Sequence, residues 1–350
     1  MVSPVVPLMP TIVLAISGGI DSAVAAHLLR EQGVEVCPLF MKHSYQREDE
    51  TDAIRVTEHL NLPLEILDIS AAFETVVEHF ADEYFAGRTP NPCVFCNRTI
   101  KFGLLLQHAF KRGADGFATG HYVCRGDING FPALFQGVDP TKDQSYVLYG
   151  IDKEVLPRLH FPLGGYEKAA IREMAIKLGL PNTQKAESQD ICFIERGKHA
   201  EFLQKRRPKI NTAGRFVSPD GNILGNHKGF VHYTVGQRKG MGVGFGERIF
   251  VHKIDAATNN VVIGPYADLA QRSLTARDVR WLLPEEPKEI FRCEAKTRYR
   301  TENVPVTVTP LPDGAVNVEF EKPRYGIAPG QSVVFYENTR LLGGGVIINL

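Results

Sequence analysis

Positions 11–16, TIVLAI, run straight into SGGIDS at 17–22, and this junction limits the possible folds more than anything else in the chain. The first six residues form an unbroken apolar run, the pattern of a strand buried on both faces. An amphipathic pattern follows over 20–32, and Gly33 stands where a finished helix needs a residue that accepts positive φ. A buried strand that turns into a helix through paired glycines is built to hold an anion. Gly18 and Gly19 let backbone amides approach it with no Cβ in the way. The helix start adds unpaired N–H groups and the positive end of a dipole. Ser17 and Ser22 add hydroxyls, whereas Asp21 is out of place beside phosphates unless a magnesium ion stands between them. The alternative is a plain glycine turn, which explains a lone GG better than a full SGGxDS.

Further strands are predicted at 34–41, 64–69 and 116–119, with helices near 51–60, 71–86, 97–112 and 166–180. Strands that alternate with helices imply an α/β fold, a doubly wound parallel sheet. The texture changes near 205, where KRRPK (205–209) forms a basic, proline-broken joint expected to be solvated, with a nucleic-acid backbone contact as the alternative. Residues 211–247 are rich in glycine and turn signals. From 248 on β patterns dominate, with a hairpin-type turn at Pro312, Asp313 and Gly314. The expected domains are 1–205, a small central domain at 206–268, and a β-barrel at 269–350.

Lys plus Arg and Asp plus Glu balance at 40 each, so any polyanion must be met by local patches. No apolar run reaches membrane-spanning length, and the opening MVSPVVPLMP lacks the basic start of a signal peptide. Six cysteines are too few for a secreted disulfide framework. The expectation is a cytoplasmic enzyme with no membrane partner. In that compartment the C-x-x-C of Cys93 and Cys96, within NPCVFC at 91–96, points to metal or redox chemistry.

The loop at 17–22 is neither a Walker P-loop nor a dinucleotide fingerprint. It resembles the PP-loop of the N-type ATP pyrophosphatases. That resemblance implies cleavage of ATP between its α and β phosphates and transfer of adenylate to a substrate oxygen. Further blocks are FMK (40–42), GRTPNP (87–92), CNRTIKF (96–102), ATGHY (118–122), KDQSY (142–146), SQDICFI (188–194), GQRKGMGVG (236–244) and APGQS (328–332). In this order they resemble the tRNA-uridine 2-sulfurtransferases, the MnmA family, over about residues 11–348. The resemblance implies that the wobble uridine of a tRNA is adenylated at O2 with ATP and Mg2+. Sulfur then replaces that oxygen, giving 2-thiouridine, AMP and pyrophosphate. It places ATP on Ala15, Ile16, Ser17, Gly18, Gly19, Ile20, Asp21 and Ser22, with Met41 and Gly120 on the adenine and ribose side. Asn91, Pro92 and Cys93 would flank a flipped-out target base. His121, Lys142, Asp143, Gln144, Arg298, Tyr299 and Gln331 would touch tRNA. The KTRYR run at 296–300 is expected on a strand, where a plain solvated face and a surface with charge for phosphates and a ring for stacking explain it equally well. The implied partners are the anticodon stem-loop and a sulfur donor such as a cysteine desulfurase or relay protein.

Well-known members of that family carry aspartate where this chain has Cys93. There the residue matching Cys96 acts as nucleophile and the one matching Cys192 carries a persulfide. A thiol in place of a carboxylate removes a general base or hard-oxygen ligand. It also completes a set of three, Cys93, Cys96 and Cys192. Other PP-loop tRNA thiolases resemble this, holding a 4Fe–4S cluster with one open iron. The expectation is such a cluster; a persulfide on Cys192 with a thiol at Cys96 is the alternative. Zinc, with His121 as fourth ligand, is a weaker one. A PP-loop amidating synthetase would need none of these thiols, and no glutaminase segment is evident.

Overall fold

Strand β1 (Thr11–Ile16) is buried almost throughout and leads through the glycine loop into helix α1 (Ile20–Glu31). In the computed structural model, which describes residues 9–45, 50–184, 191–195, 197–208, 212–241 and 248–349, the chain then continues as β2 (Glu35–Lys42), α2 (Thr51–His59), β3 (Glu65–Asp68) and α3 (Ser70–Phe85). A continuous helical stretch follows: α4 (Pro92–Cys96), a π-helical segment (Asn97–Leu105) and α5 (Leu106–Lys111). Next come β4 (Gly116–Thr119), a hairpin of β5 (Val123–Ile128) and β6 (Phe131–Gln136), the short β7 (Leu159–His160) and α6 (Lys168–Lys177). The later part holds α7 (His199–Arg206), β8 (Gly214–Val217), β9 (Ile223–His227), β10 (Ile249–Asp255) and β11 (Asn260–Pro265). The last strands are β12 (Ala270–Trp281), β13 (Phe291–Lys296), β14 (Val304–Pro310), β15 (Val316–Tyr325), β16 (Ser332–Glu337) and β17 (Arg340–Asn349).

The chain divides into two units that interleave along the sequence. The first takes Met1–Phe73, Phe95–Cys192 and Thr339–Leu341; the second takes Glu74–Val94, Phe193–Asn338 and Leu342–Leu350. The first unit is built on the parallel sheet β3-β2-β1-β4-β7. Residues 23–26 of α1 are small, fully buried and pack on that sheet, where larger side chains would hold the helix off. The doubly wound α/β expectation is met.

The second unit contains a four-stranded sheet, β10-β11-β8-β9, and a six-stranded barrel of order β12-β15-β14-β13-β16-β17 that closes by pairing of β12 with β17. Alternation explains the barrel. In β15, Val316, Val318 and Phe320 point inward between partly or fully exposed Asn317, Glu319 and Glu321. The turn at 311–315 closes as predicted, with Gly314 at φ +78°.

One expectation fails here. The arginines of the basic joint do not simply face water: Arg206 pairs with Glu74 and Glu78, and Arg207 with Glu78 and Asp82, along the acidic side of α3. The joint and the part of α3 that carries Glu74, Glu78 and Asp82 belong to one unit, and these carboxylates take up the charge. Lys209 lies outside the described residues, as do 188–190 and 242–244 of the quoted blocks.

Candidate active site

In the first sheet β2 and β4 flank β1 on opposite sides, so the chain order reverses between β1 and β4. Ligands of open α/β sheets bind beyond the carboxyl ends of the strands at such a reversal. Here those ends carry Ser17–Ser22 from β1 and Gly120–His121 from β4. Gly18 has φ +78°, and Gly19 precedes α1 in an extended conformation with no side-chain cap. The first turn of α1 is thus left to an external acceptor. The Ser22 hydroxyl donates to the Gly19 carbonyl at 3.0 Å and accepts from the Ser17 amide at 3.1 Å, which fixes the loop. Asn182 Nδ2 donates to the Gly18 carbonyl at 2.8 Å. Gly120 packs against this turn: a Cβ there would stand 3.3 Å from the Ser22 amide nitrogen. Met41 lies at the same end of the neighbouring strand, half-buried.

Asp21 does not face outward alone. Both its carboxylate oxygens accept from Lys168 Nζ, at 2.6 and 2.8 Å, and Oδ1 also accepts from Tyr122 Oη at 2.7 Å. The sequence reading missed Lys168 and Tyr122 in this role. Tyr122 closes the quoted ATGHY block, but Lys168 lies 147 residues from Asp21 and carries no local motif. A magnesium ion here would arrive with ATP and be held by Asp21 and the phosphates, a hard-oxygen set that suits it.

His121 is buried, and its Nδ1 lies 2.8 Å from Thr119 Oγ1. Burial, reinforced by nearby Lys101, holds its pKa well below the ordinary 6.5. His43, stacked on Phe73 at 3.7 Å, is lowered to about 4, again by burial. Both stay neutral in the folded chain, while the unfolded chain takes up protons below pH 6.5. Stability is therefore complete above that value and is lost as pH falls beneath it. Each fully buried histidine contributes a slope of at most about 1.4 kcal/mol per pH unit. Urea midpoints measured at pH 7.5 and 5.0 should fall at the lower pH, and His43→Phe should recover part of the loss.

The two cysteines of C-x-x-C do not lie in a loop. The Asn91 side chain accepts from the Cys93 amide at 3.1 Å, and Pro92 opens the helix. This is an N-cap followed by proline at the first helical position. Cys93 is exposed at that end, while Cys96, one turn on, is 7% exposed. The π-helical segment begins directly after Cys96. Such stretches cluster at functional sites, because an extra residue per turn re-aims the side chains. Cys192 is exposed. Among the described residues no group of three or more His, Cys, Asp or Glu side chains is placed to hold a metal ion.

The residues expected to touch tRNA fall into distinct settings. Asp143 is buried, accepting from Gln136 Nε2, the Gly137 amide, and both the amide and hydroxyl of Ser145. Gln144 Oε1 accepts from the Tyr122 amide at 2.9 Å, and Lys142 lies half-buried in the same turn. In the second unit KTRYR does not continue a strand. β13 stops at Lys296, and the Arg298 carbonyl closes a turn onto the Thr301 amide. The Arg298 guanidinium donates to the carbonyls of Val235 and Gly326, and Tyr299 is half-buried. Gln331 Nε2 donates to the Thr89 carbonyl at 2.7 Å, and the Thr89 amide donates to the Pro329 carbonyl at 2.8 Å. The barrel turn thereby grips the loop that leads to Asn91. Gly87, at the start of that loop, has φ +77°, and a Cβ there would stand 2.9 Å from the Ile254 carbonyl of β10.

Among the described residues no helix is long and apolar enough to cross a membrane. Residues 10–196 match the family model described as tRNA methyl transferase HUP domain. Residues 200–265 match the tRNA methyl transferase PRC-barrel domain, and 271–347 the aminomethyltransferase beta-barrel domain. The chain is 43% identical over 352 residues to the tRNA-specific 2-thiouridylase MnmA of Magnetococcus marinus, covering 96% of this chain and 98% of that protein. It is 42% identical over 354 residues to the tRNA-specific 2-thiouridylase MnmA of Carboxydothermus hydrogenoformans, covering 96% and 97%. A solved 4-thiouridine synthetase–RNA complex with bound ATP is more remote, at 22% identity and a TM-score of 0.39, covering 57% of this chain and 50% of that one.

Proposed function

This chain belongs to the tRNA-specific 2-thiouridylase MnmA family, and on that premise we propose that it replaces O2 of a tRNA wobble uridine with sulfur at the expense of ATP. The observation that carries the reading is the SGGIDS crevice at the strand reversal together with a helix that opens on C-x-x-C. The family model's description names methyl transfer, but these thiols and this loop suit adenylation and sulfur transfer better.

The loop and the α1 start would seat the phosphates of Mg·ATP. The uridine O2 attacks the α phosphorus; the bond to the bridging oxygen breaks, and pyrophosphate leaves with the electron pair. A sulfur nucleophile then adds at C2, and AMP departs with the former O2. Adenylation is required because a carbonyl oxygen is otherwise a poor leaving group. Extrusion of the base is cheap in an anticodon loop, where pairing is already absent. Asn91, Pro92 and Cys93 would flank that base, and the turns at 142–144 and 298–299 and Gln331 would meet the anticodon stem-loop.

Two thiols are enough for the second step. A persulfide on Cys192, charged by a desulfurase or relay protein, supplies the terminal sulfur. The Cys96 thiolate then attacks the Cys192 sulfur. The S–S bond to the transferred sulfur breaks with its electrons going to that sulfur, and a Cys96–Cys192 disulfide remains for an external dithiol to reduce. The alternative is a 4Fe–4S cluster on Cys93, Cys96 and Cys192, which the C-x-x-C spacing and the third thiol support.

Anaerobically purified protein, given tRNA, Mg·ATP and a sulfur donor, should release one AMP and one pyrophosphate per 2-thiouridine and do so while free of iron. Pyrophosphate release without tRNA dependence would point to an amidating synthetase. About four irons per chain, lost on replacing any of Cys93, Cys96 or Cys192, would restore the cluster.

A further inference from the structure

The ammonium of Lys168 sits where a cation bound to Asp21 would sit. It contacts both carboxylate oxygens, at 2.6 and 2.8 Å, and its side chain is only 11% exposed. Tyr122, itself buried, donates to the same carboxylate, and its ring lies 5.7 Å from the ammonium. Lys168 opens α6, and its backbone amide donates to Asp139 Oδ2 at 3.1 Å, which fixes the point from which the side chain reaches α1. All four residues belong to the first unit. A solvated surface pair would not be enclosed in this way.

We propose that Lys168 is a phosphate-positioning residue for adenylation. It holds Asp21 neutralised while the loop is empty, yields the carboxylate to magnesium when Mg·ATP arrives, and turns its ammonium to the phosphates. The inference rests on the reading of 17–22 as an ATP loop. A bare carboxylate in an anion-binding turn opposes the anion, and the resident ammonium cancels that charge. A metal ion on Asp21 needs at least one of the two oxygens Lys168 now occupies, and two cations do not share them. The displaced ammonium keeps three donors on a flexible stem, suited to the charge that grows on departing pyrophosphate.

The test is the ratio of ATP dissociation constants in EDTA and in excess Mg2+, measured by calorimetry without tRNA, for wild type, K168M and K168R. In K168M metal-free ATP meets an uncompensated Asp21, whereas Mg·ATP brings its own compensation. The ratio should rise at least about tenfold, and K168R should return it to within about threefold of wild type. Pyrophosphate release with tRNA should fall at least about a hundredfold in K168M. A merely structural pair would weaken both forms equally, so an unchanged ratio overturns the proposal. Should K168M not fold, Asp21→Asn reports in its place. Metal-free ATP should then bind at least about tenfold more tightly than to wild type, and an unchanged affinity overturns the proposal. Wild type that binds ATP in neither buffer would refute the ATP-loop reading itself.

Discussion

Cys96→Ser is expected to stop 2-thiouridine formation, by at least about three orders of magnitude, while the rate of tRNA-dependent pyrophosphate release in the first turnover stays within about threefold of wild type. The substitution is nearly isosteric, and at 7% exposure the position accommodates it with little change in packing. A hydroxyl neither forms the thiolate nor accepts sulfur, so the second half-reaction loses its attacking group. The first half-reaction is assigned to the 17–22 loop, on a different element. Mass spectrometry of digested tRNA and a pyrophosphate assay on the same sample read the two halves separately. Thiolation at the wild-type rate would remove Cys96 from the chemistry. Loss of both halves would mean that Cys96 is needed for the fold instead.

Gly18→Ala should be nearly as damaging, for a steric reason. At φ +78° an L-residue is strained, and the added Cβ would lie 2.6 Å from the Ala53 amide nitrogen and 2.7 Å from the Asp52 carbonyl carbon. Both obstacles are backbone, at the start of α2, and cannot turn aside. Strain and clash together should cost about 2–5 kcal/mol of stability and weaken ATP binding at least about a hundredfold. Gly19→Ala is the control: its nearest contact is the Ser17 hydroxyl oxygen at 3.6 Å, and its φ is negative. The melting temperature should drop for Gly18→Ala and hold for Gly19→Ala, whose only obstacle would be a ligand. Equal melting temperatures would count against this account of the loop.

The strand, the loop and the doubly wound sheet were legible because each is written in adjacent residues: an apolar run, paired glycines, a helical period. The barrel was legible from alternation and turns. Other features were legible but passed over. Asn129 and Gly130, both at positive φ, are the strongest short hairpin pattern in the first unit, yet β5 and β6 were not predicted. Asn91 and Pro92 have the pattern of a helix start, yet the expected helix begins only near 97. Lys168 on Asp21 and the four donors on Asp143 lay beyond reach. The first joins residues 147 apart, and the second depends on a turn that seals a carboxylate inside. A lysine at a helix start looks like any solvated lysine until the partner helix is in place. The KTRYR run fails for a related reason: its composition suits a strand, but the Arg298 carbonyl closes a turn.

The grip of Gln331 on Thr89 has a consequence for how the protein is made. The two residues are 242 positions apart, and at about 5–20 residues per second a ribosome takes about 12–50 s to travel between them. Through that interval Thr89 has been made, but the turn that holds it has not been synthesised. The nucleotide loop, by contrast, draws its partners from the first 182 residues. A nascent chain can thus acquire its capacity for ATP well before its thiols have a settled setting. A product truncated before 331 would carry the nucleotide loop and its partners but lack the bond that holds Thr89 ahead of the Cys93 helix.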